Sequence, residues 1–209
     1  MRYPKEYKES ARKKLVVASG SHAKQHGFEQ TGMSDLAASA GVTTGSLYKH
    51  FEGKSDLFAS LVSAELQRTA VAYATIDASD TGGAVQAMNA YLSLQHVQHP
   101  ETGCLLPALT AEVARADSAV REAFERGILD VHANVEKMTG SQDKAWTLIA
   151  QNVGAVLIAR ALCDEKLQRA LLLALRRSAK QLLTRDSQVP VETKHAISHL
   201  NNRVKGKTT

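Results

Sequence analysis

The chain has 209 residues, a formal net charge of +5 at neutral pH and a pI of about 9.2. Its 44% apolar and 22% charged content is ordinary for a globular protein, and the length is enough for one large or two modest domains with a real core. Two cysteines in a chain this long exclude a disulfide framework. No apolar run approaches the ~18 residues a membrane span needs, and no apolar stretch follows Arg2 and Lys5 as a secretory signal would require, so the expected compartment is the cytosol. Few aromatics, few prolines and abundant Ala and Leu favour helices over strands.

Residues 1–9 are polar and read as an arm, with Arg2, Lys5 and Lys8 near enough to a recognition surface to meet a phosphate backbone. A first helix is expected from Lys5 or Tyr7 to His26, with Leu15, Ala18 and Ala23 on one face and Arg12, Lys13 and Lys14 on the other. Gly27 supplies its C-cap and Phe28 packs back. Met33, Leu36, Ala37 and Ala40 then recur at three- and four-residue spacing, the signature of a short helix. Gly41 tolerates the left-handed dihedrals of a tight turn, Val42 is a buried-type turn residue, and Thr43 can cap a following helix with Leu47, Tyr48 and Phe51 on its inward side. Two short helices at this spacing form a helix-turn-helix, whose second helix enters the DNA major groove.

The run Ala37, Ala40-Gly41-Val42-Thr43, Gly45-Ser46-Leu47-Tyr48-Lys49-His50-Phe51, Lys54 and Leu57 resembles the N-terminal domain of TetR/AcrR-type transcriptional repressors. The resemblance implies an all-α fold, with a three-helix DNA-reading domain over residues 1–54 and a larger helical effector-binding and dimerisation domain over 55–185. The polar basic tail at 186–209 is expected to be partly disordered, with a short helix at 191–200. It also implies that Thr31, Ser34, Thr43, Thr44, Gly45, Ser46, Tyr48, Lys49, His50 and Lys54 face DNA. The chemistry agrees: short hydroxyls and amide groups at helix starts suit phosphates, Gly45 leaves room for a close approach, and Lys54 can pair with a phosphate. One departure stands out. The family's Leu-Phe pair near the end of the first helix is here His22-Ala23, preceded by Gly20-Ser21. A buried Phe contributes roughly 1.5–3 kcal/mol, so this domain should be less stable or packed differently, with His22 as the candidate to refill the space.

The remaining elements are helical. A long helix is expected from Ser55 to Ile76, followed by a break at Asp77–Gly83 and then helices at 84–99, 104–115, 117–138, 143–162 and 164–184. Leu148, Ile149, Asn152, Val153, Gly154, Ala155, Val156 and Ala159, with Leu167, Leu171, Ala174, Leu175, Ser178 and Leu182, form the surface expected to build a homodimer. In the family the last two long helices do this, and a two-fold pair of reading heads matches a palindromic operator.

The stretch from Gly103 to Leu109 with Glu112-Val113-Ala114 resembles a subgroup that includes thiol-based sensors of electrophiles and oxidants. Cys104, expected at a helix N-terminus where the dipole favours a thiolate, is therefore the candidate sensor. Met88, Tyr91, His96, His99, Trp146 and Asn152 are candidates to line an effector pocket. The His96, His99 and Cys104 spacing matches no strong metal motif. No cofactor motif, paired carboxylates or nucleophile–base constellation argues for an enzyme. The competing reading is a helical small-molecule-binding or interaction protein without sequence-specific DNA binding. It would require loss of the basic and hydroxyl residues around the recognition helix, and they are present.

Overall fold

The computed structural model describes residues 5–184, and among these the protein is all helical. Expectations about residues 1–4, including Arg2, and about the tail, including a helix at 191–200, lie outside the described residues. Ten helices follow in chain order: α1 (Lys5–His26), α2 (Met33–Ser39), α3 (Thr44–Leu47), α4 (Lys54–Ala74), α5 (Thr81–Tyr91), α6 (Leu94–Gln98), α7 (Leu106–Val113), α8 (Ser118–Thr139), α9 (Gln142–Ala161) and α10 (Glu165–Leu183). No described helix is long and apolar enough to cross a membrane.

Helix α1 ends where its sequence says it should. The Gly27 N–H donates to Ala23 O at 2.8 Å, and Phe28 turns back to stack on Phe58 of α4 with ring centroids 4.1 Å apart. Helices α2 and α3 meet across Gly41, whose φ of +68° lies in the region that a side chain makes costly. Leu36, Ala37, Leu47 and Phe51 are buried from these two turns, and Leu15, Val16 and Ala23 meet them from α1.

The long α4 connects this group to everything after it and packs along α8 more extensively than any other pair of helices. Its start is fastened twice. Asp56 accepts the Glu52 N–H and the Arg12 guanidinium, and the Ser55 hydroxyl donates to Asp117, the residue that caps α8. Helices α9 and α10 lie side by side and enclose the far side of the core.

The expected helix at 84–99 is two helices. Leu92 leaves helical dihedrals (ψ +56°), and the Ser93 hydroxyl accepts the His96 N–H to start α6. The periodicity runs through the break because both pieces bury apolar residues, so the cap at Ser93 is what decides. The helix expected at 104–115 begins two residues later, at Leu106, with Pro107 in its first turn.

The His22-Ala23 departure has a definite outcome. His22 does not refill the core. It is half-buried and lies against the His26 ring, with centroids 4.5 Å apart. Instead α1 presents Ser19, Gly20 and Ala23, all buried, to α4, with the open side of Gly20 facing Leu61.

Candidate nucleic-acid interface and effector cavity

The helix-turn-helix presents two sides. Inward, Leu36, Leu47 and Phe51 are at most 1% exposed. Outward, Ser34, Thr43, Gly45, Tyr48 and Lys49 are exposed, with Tyr48 at 55% despite its size. Thr44, Ser46 and His50 are half-buried at the rim. Thr43 is the N-cap of α3, its hydroxyl accepting the Ser46 N–H at 3.3 Å. A side chain built on Gly45 would meet nothing within 4 Å, so its backbone is open to a partner. Beyond Leu47 the chain continues in tight turns, His50 N–H to Leu47 O at 2.9 Å and Phe51 N–H to Leu47 O at 3.0 Å, which carry Tyr48 and Lys49 outward. Arg12 stacks over the Phe51 ring at 4.4 Å and donates to His50 O at 3.3 Å, bracing the far end from α1.

Two residues of the expected set are placed otherwise. The Thr31 side chain is buried, its hydroxyl donating to Gly27 O at 2.6 Å, so it ties the turn after α1. The short spacing from Gly27 explains this: four residues allow a local side-chain-to-backbone bond. Lys54 is half-buried, with its ammonium donating to Glu29 O at 2.9 Å and lying 5.3 Å from the Phe28 ring centroid.

The second site is a cavity of about 320 Å³ between α4, α5 and the turn before α7. Tyr73 and Tyr91 give it aromatic walls, Arg68 and Gly103 lie at one side, and His96 and Cys104 at another. Past Cys104 it narrows into a crevice of only about 10 Å³ that reaches Met88 and Asn152. Of the expected lining, Met88, Tyr91, His96 and Asn152 are there. Asn152 is buried with its amide 3.2 Å from the Met88 sulfur. Trp146 is not part of it. Its ring stacks on His132 at 4.2 Å between α9 and α8. His99 points away and pairs with Glu101.

Cys104 is buried, and burial pushes its thiol above the ordinary range, against the expectation of a dipole-activated thiolate. The helix begins beyond it, and the Leu106 N–H reaches the sulfur only at 3.5 Å, too weak to offset desolvation. Its main chain is firmly held: the Cys104 N–H donates to His96 Nε2 at 2.9 Å, while His96 Nδ1 meets Tyr91 O at 2.8 Å. That pairing fixes His96 as a neutral ring with the proton on Nδ1, and desolvation accordingly holds its pKa below the usual 6.5. The neighbouring Tyr91 hydroxyl is buried beside the sulfur.

The depressed His96 pKa has a sign. The unfolded chain takes up a proton near pH 6.5 while the folded chain resists, so this contribution is complete above 6.5 and is lost as pH falls toward the folded value. We expect the thermal midpoint to fall between pH 7.5 and 5.5, and part of that fall to be missing in His96→Gln. Equal falls in the two proteins would remove His96 from the account.

The family described as "Bacterial regulatory proteins, tetR family" matches residues 21–61, which hold the whole helix-turn-helix. Over this stretch the chain is similar to the TetR family. Over 47 residues it is 40% identical to the probable acrEF/envCD operon repressor of Escherichia coli K12, a match covering 22% of this chain and 21% of that one, so the chain spans about a fifth of the curated relatives it matches. The fold is similar to that of solved regulators over most of the chain. It is similar to reduced E. coli NemR (TM-score 0.69, 21% identity, 86% of this chain and 100% of that one). It is also similar to a TetR-family regulator from Agrobacterium tumefaciens (TM-score 0.67, 22% identity, 85% and 100%).

Sequence reasoning missed one group at this site. Lys24 and Glu65 are both buried and joined at 2.8 Å, 41 residues apart in the chain, beside the Gly103 carbonyl. No periodicity could have paired them.

Proposed function

We propose that the protein is a DNA-binding transcriptional repressor that reads a palindromic operator as a homodimer and is released by an effector acting at the Cys104 cavity. The observation that carries the reading is the outward set Thr43, Gly45, Tyr48 and Lys49, displayed on turns whose inward side is locked by Leu36, Leu47 and Phe51. Ser34, Thr44, Ser46 and His50 extend that set at the rim, and Lys54 stands at its edge, able to exchange the Glu29 carbonyl for a phosphate. Thr31 acts from behind as a support. The reading divides the chain into a head at 1–54, a body at 55–185 and a tail at 186–209.

The dimer surface we infer differs from the expected set and shares with it Leu167 and Ala174. Leu148, Asn152, Ala155, Val156 and Ala159 are buried within the protomer. What α9 and α10 leave exposed is Leu157, Ile158, Leu167 and Leu173, each more than half exposed, with Ala174 beside them. Large apolar side chains on adjacent helices are costly to leave in water, and a second copy of the same face would cover them isologously.

The effector is either a small molecule held against Tyr73 and Tyr91 or a modification of the Cys104 thiol. Because the resting thiol is protonated and buried, it reacts when the cavity opens. Cys104→Ser should leave DNA binding intact while abolishing release by a quinone or hypochlorite. Release of that variant as readily as the parent would assign the effector role to non-covalent binding.

Binding to selected genomic fragments is expected to exceed binding to random DNA and to fall steeply with salt. Lys49→Ala should weaken binding to all sequences and lower the slope of log K against log salt by about 1. Equal affinity for selected and random fragments at moderate salt would sink the repressor reading.

A further inference from the structure

Lys24 is an unusual residue for the end of a first helix. Its side chain is 2% exposed, and its ammonium lies 2.8 Å from Glu65 Oε2 on α4 and 2.9 Å from Gly103 O in the turn before α7. Arg68, one turn along α4, repeats both contacts from the solvent side, at 2.7 Å to the same Glu65 oxygen and 3.2 Å to the same carbonyl. One carboxylate and one main-chain oxygen are thus each held by two cations. The carbonyl belongs to the residue immediately before Cys104, and Gly103, Arg68 and Cys104 all line the cavity. On the other side, Cys104 N–H is held by His96, whose own carbonyl accepts from Arg160 of α9 at 2.9 Å. The turn is therefore fixed between α1 and α4 on one hand and α6 and α9 on the other.

We propose that the Lys24–Glu65–Arg68 clasp on the Gly103 carbonyl is the element that couples the Cys104 cavity to α1, and through α1 to the orientation of the helix-turn-helix. This rests on the effector reading above. A ligand group or thiol adduct that enters the crevice of about 10 Å³ behind Cys104 displaces the 103–104 turn, because that crevice has no room. Displacing the turn removes a ligand from a buried ammonium. Losing one of its two ligands raises the free energy of the buried ammonium and favours opening of the clasp. Opening frees α1 from α4 at the end nearest α2.

The test needs no identified effector, because Gly103→Ala displaces the turn by itself. A Cβ there would lie 2.4 Å from His96 Cδ2 and 2.7 Å from its Nε2. The substitution is made in the full-length parent and in the Lys24→Met/Glu65→Leu background, where apolar groups replace the clasp. Amide exchange of residues 15–26 and affinity for the selected DNA fragment are both measured. In the parent, Gly103→Ala should speed α1 exchange and weaken DNA binding by about tenfold. In the clasp-free background it should change either quantity by no more than about twofold. Equal effects in the two backgrounds, or no change of α1 exchange in the parent, overturn the proposal. If α1 exchange responds only through the clasp while DNA affinity does not, the coupling stops at α1 and the proposal is overturned, whereas a parent that binds selected and random DNA equally fails the repressor reading instead. Should Gly103→Ala not fold, alkylation of Cys104 with N-ethylmaleimide under mild denaturant, in a Cys163→Ser chain with the exposed second thiol removed, supplies the displacement and is read the same way.

Discussion

Glu65→Leu is expected to destabilise the protein by about 3–5 kcal/mol, among the largest losses any single substitution here should produce. The Lys24 ammonium would keep only the Gly103 carbonyl, in a site where its side chain is 2% exposed. Arg68 would lose the same partner at little cost, since its side chain is 55% exposed and can turn to solvent. The asymmetry makes the prediction specific. Lys24→Met/Glu65→Leu should recover most of the loss, because well-packed apolar groups often match a buried ion pair. Chemical denaturation of the three proteins checks this. A single substitution costing about 1 kcal/mol or less, or a double variant no better than the single, would mean that water reaches the pair.

Gly127→Ala is expected to cost about 2 kcal/mol, although alanine is the better helix former by about 1 kcal/mol. Gly127 is buried in the interior of α8, against Leu66 of α4. An added Cβ would sit 2.6 Å from Leu66 Cβ and 2.8 Å from Leu66 Cδ1. The first contact is with an atom fixed to the backbone, so no rotamer change relieves it and the two helices must part. This is the most extensive helix pair in the molecule, so a local shift is felt along its length. Leu66→Ala should not rescue the variant, because its Cβ remains. A urea midpoint for Gly127→Ala at or above that of the parent would show that α8 slides past α4 freely.

Much of the fold could be read from local signals. Gly27 and Gly41 both carry positive φ at the ends the sequence assigned them, and Thr43 caps α3 as expected. These are short-range events, decided within a turn of chain, and residue type reports them well. The break at Leu92–Ser93 was hidden because apolar periodicity continues across it. At the site, the outward Tyr48 and Lys49 were legible from spacing against Leu47 and Phe51. Thr31 was not, because a hydroxyl that can reach a phosphate can equally reach a carbonyl four residues back, and burial chose the second. Cys104 was legible as a position but not as a chemical state. Its proximity to a helix start can be read from sequence, whereas the desolvation that outweighs it depends on residues from several distant helices. Lys24 carries the same lesson: a lysine on an amphipathic helix is read as solvated until its carboxylate partner is located in space.

The small residues Ser19, Gly20 and Ala23, which bring α1 against α4, carry a consequence for how the molecule melts. A reading head joined to its body by one connecting helix alone could unfold as a separate cooperative unit. Here the last turns of α1 share a dry seam with α4 and place a buried charge in it, so the head cannot loosen its first helix without exposing surface that belongs to the body. The two halves are thereby tied into a single transition, and a stabilising occupant of the body would stiffen the head by mass action without touching it.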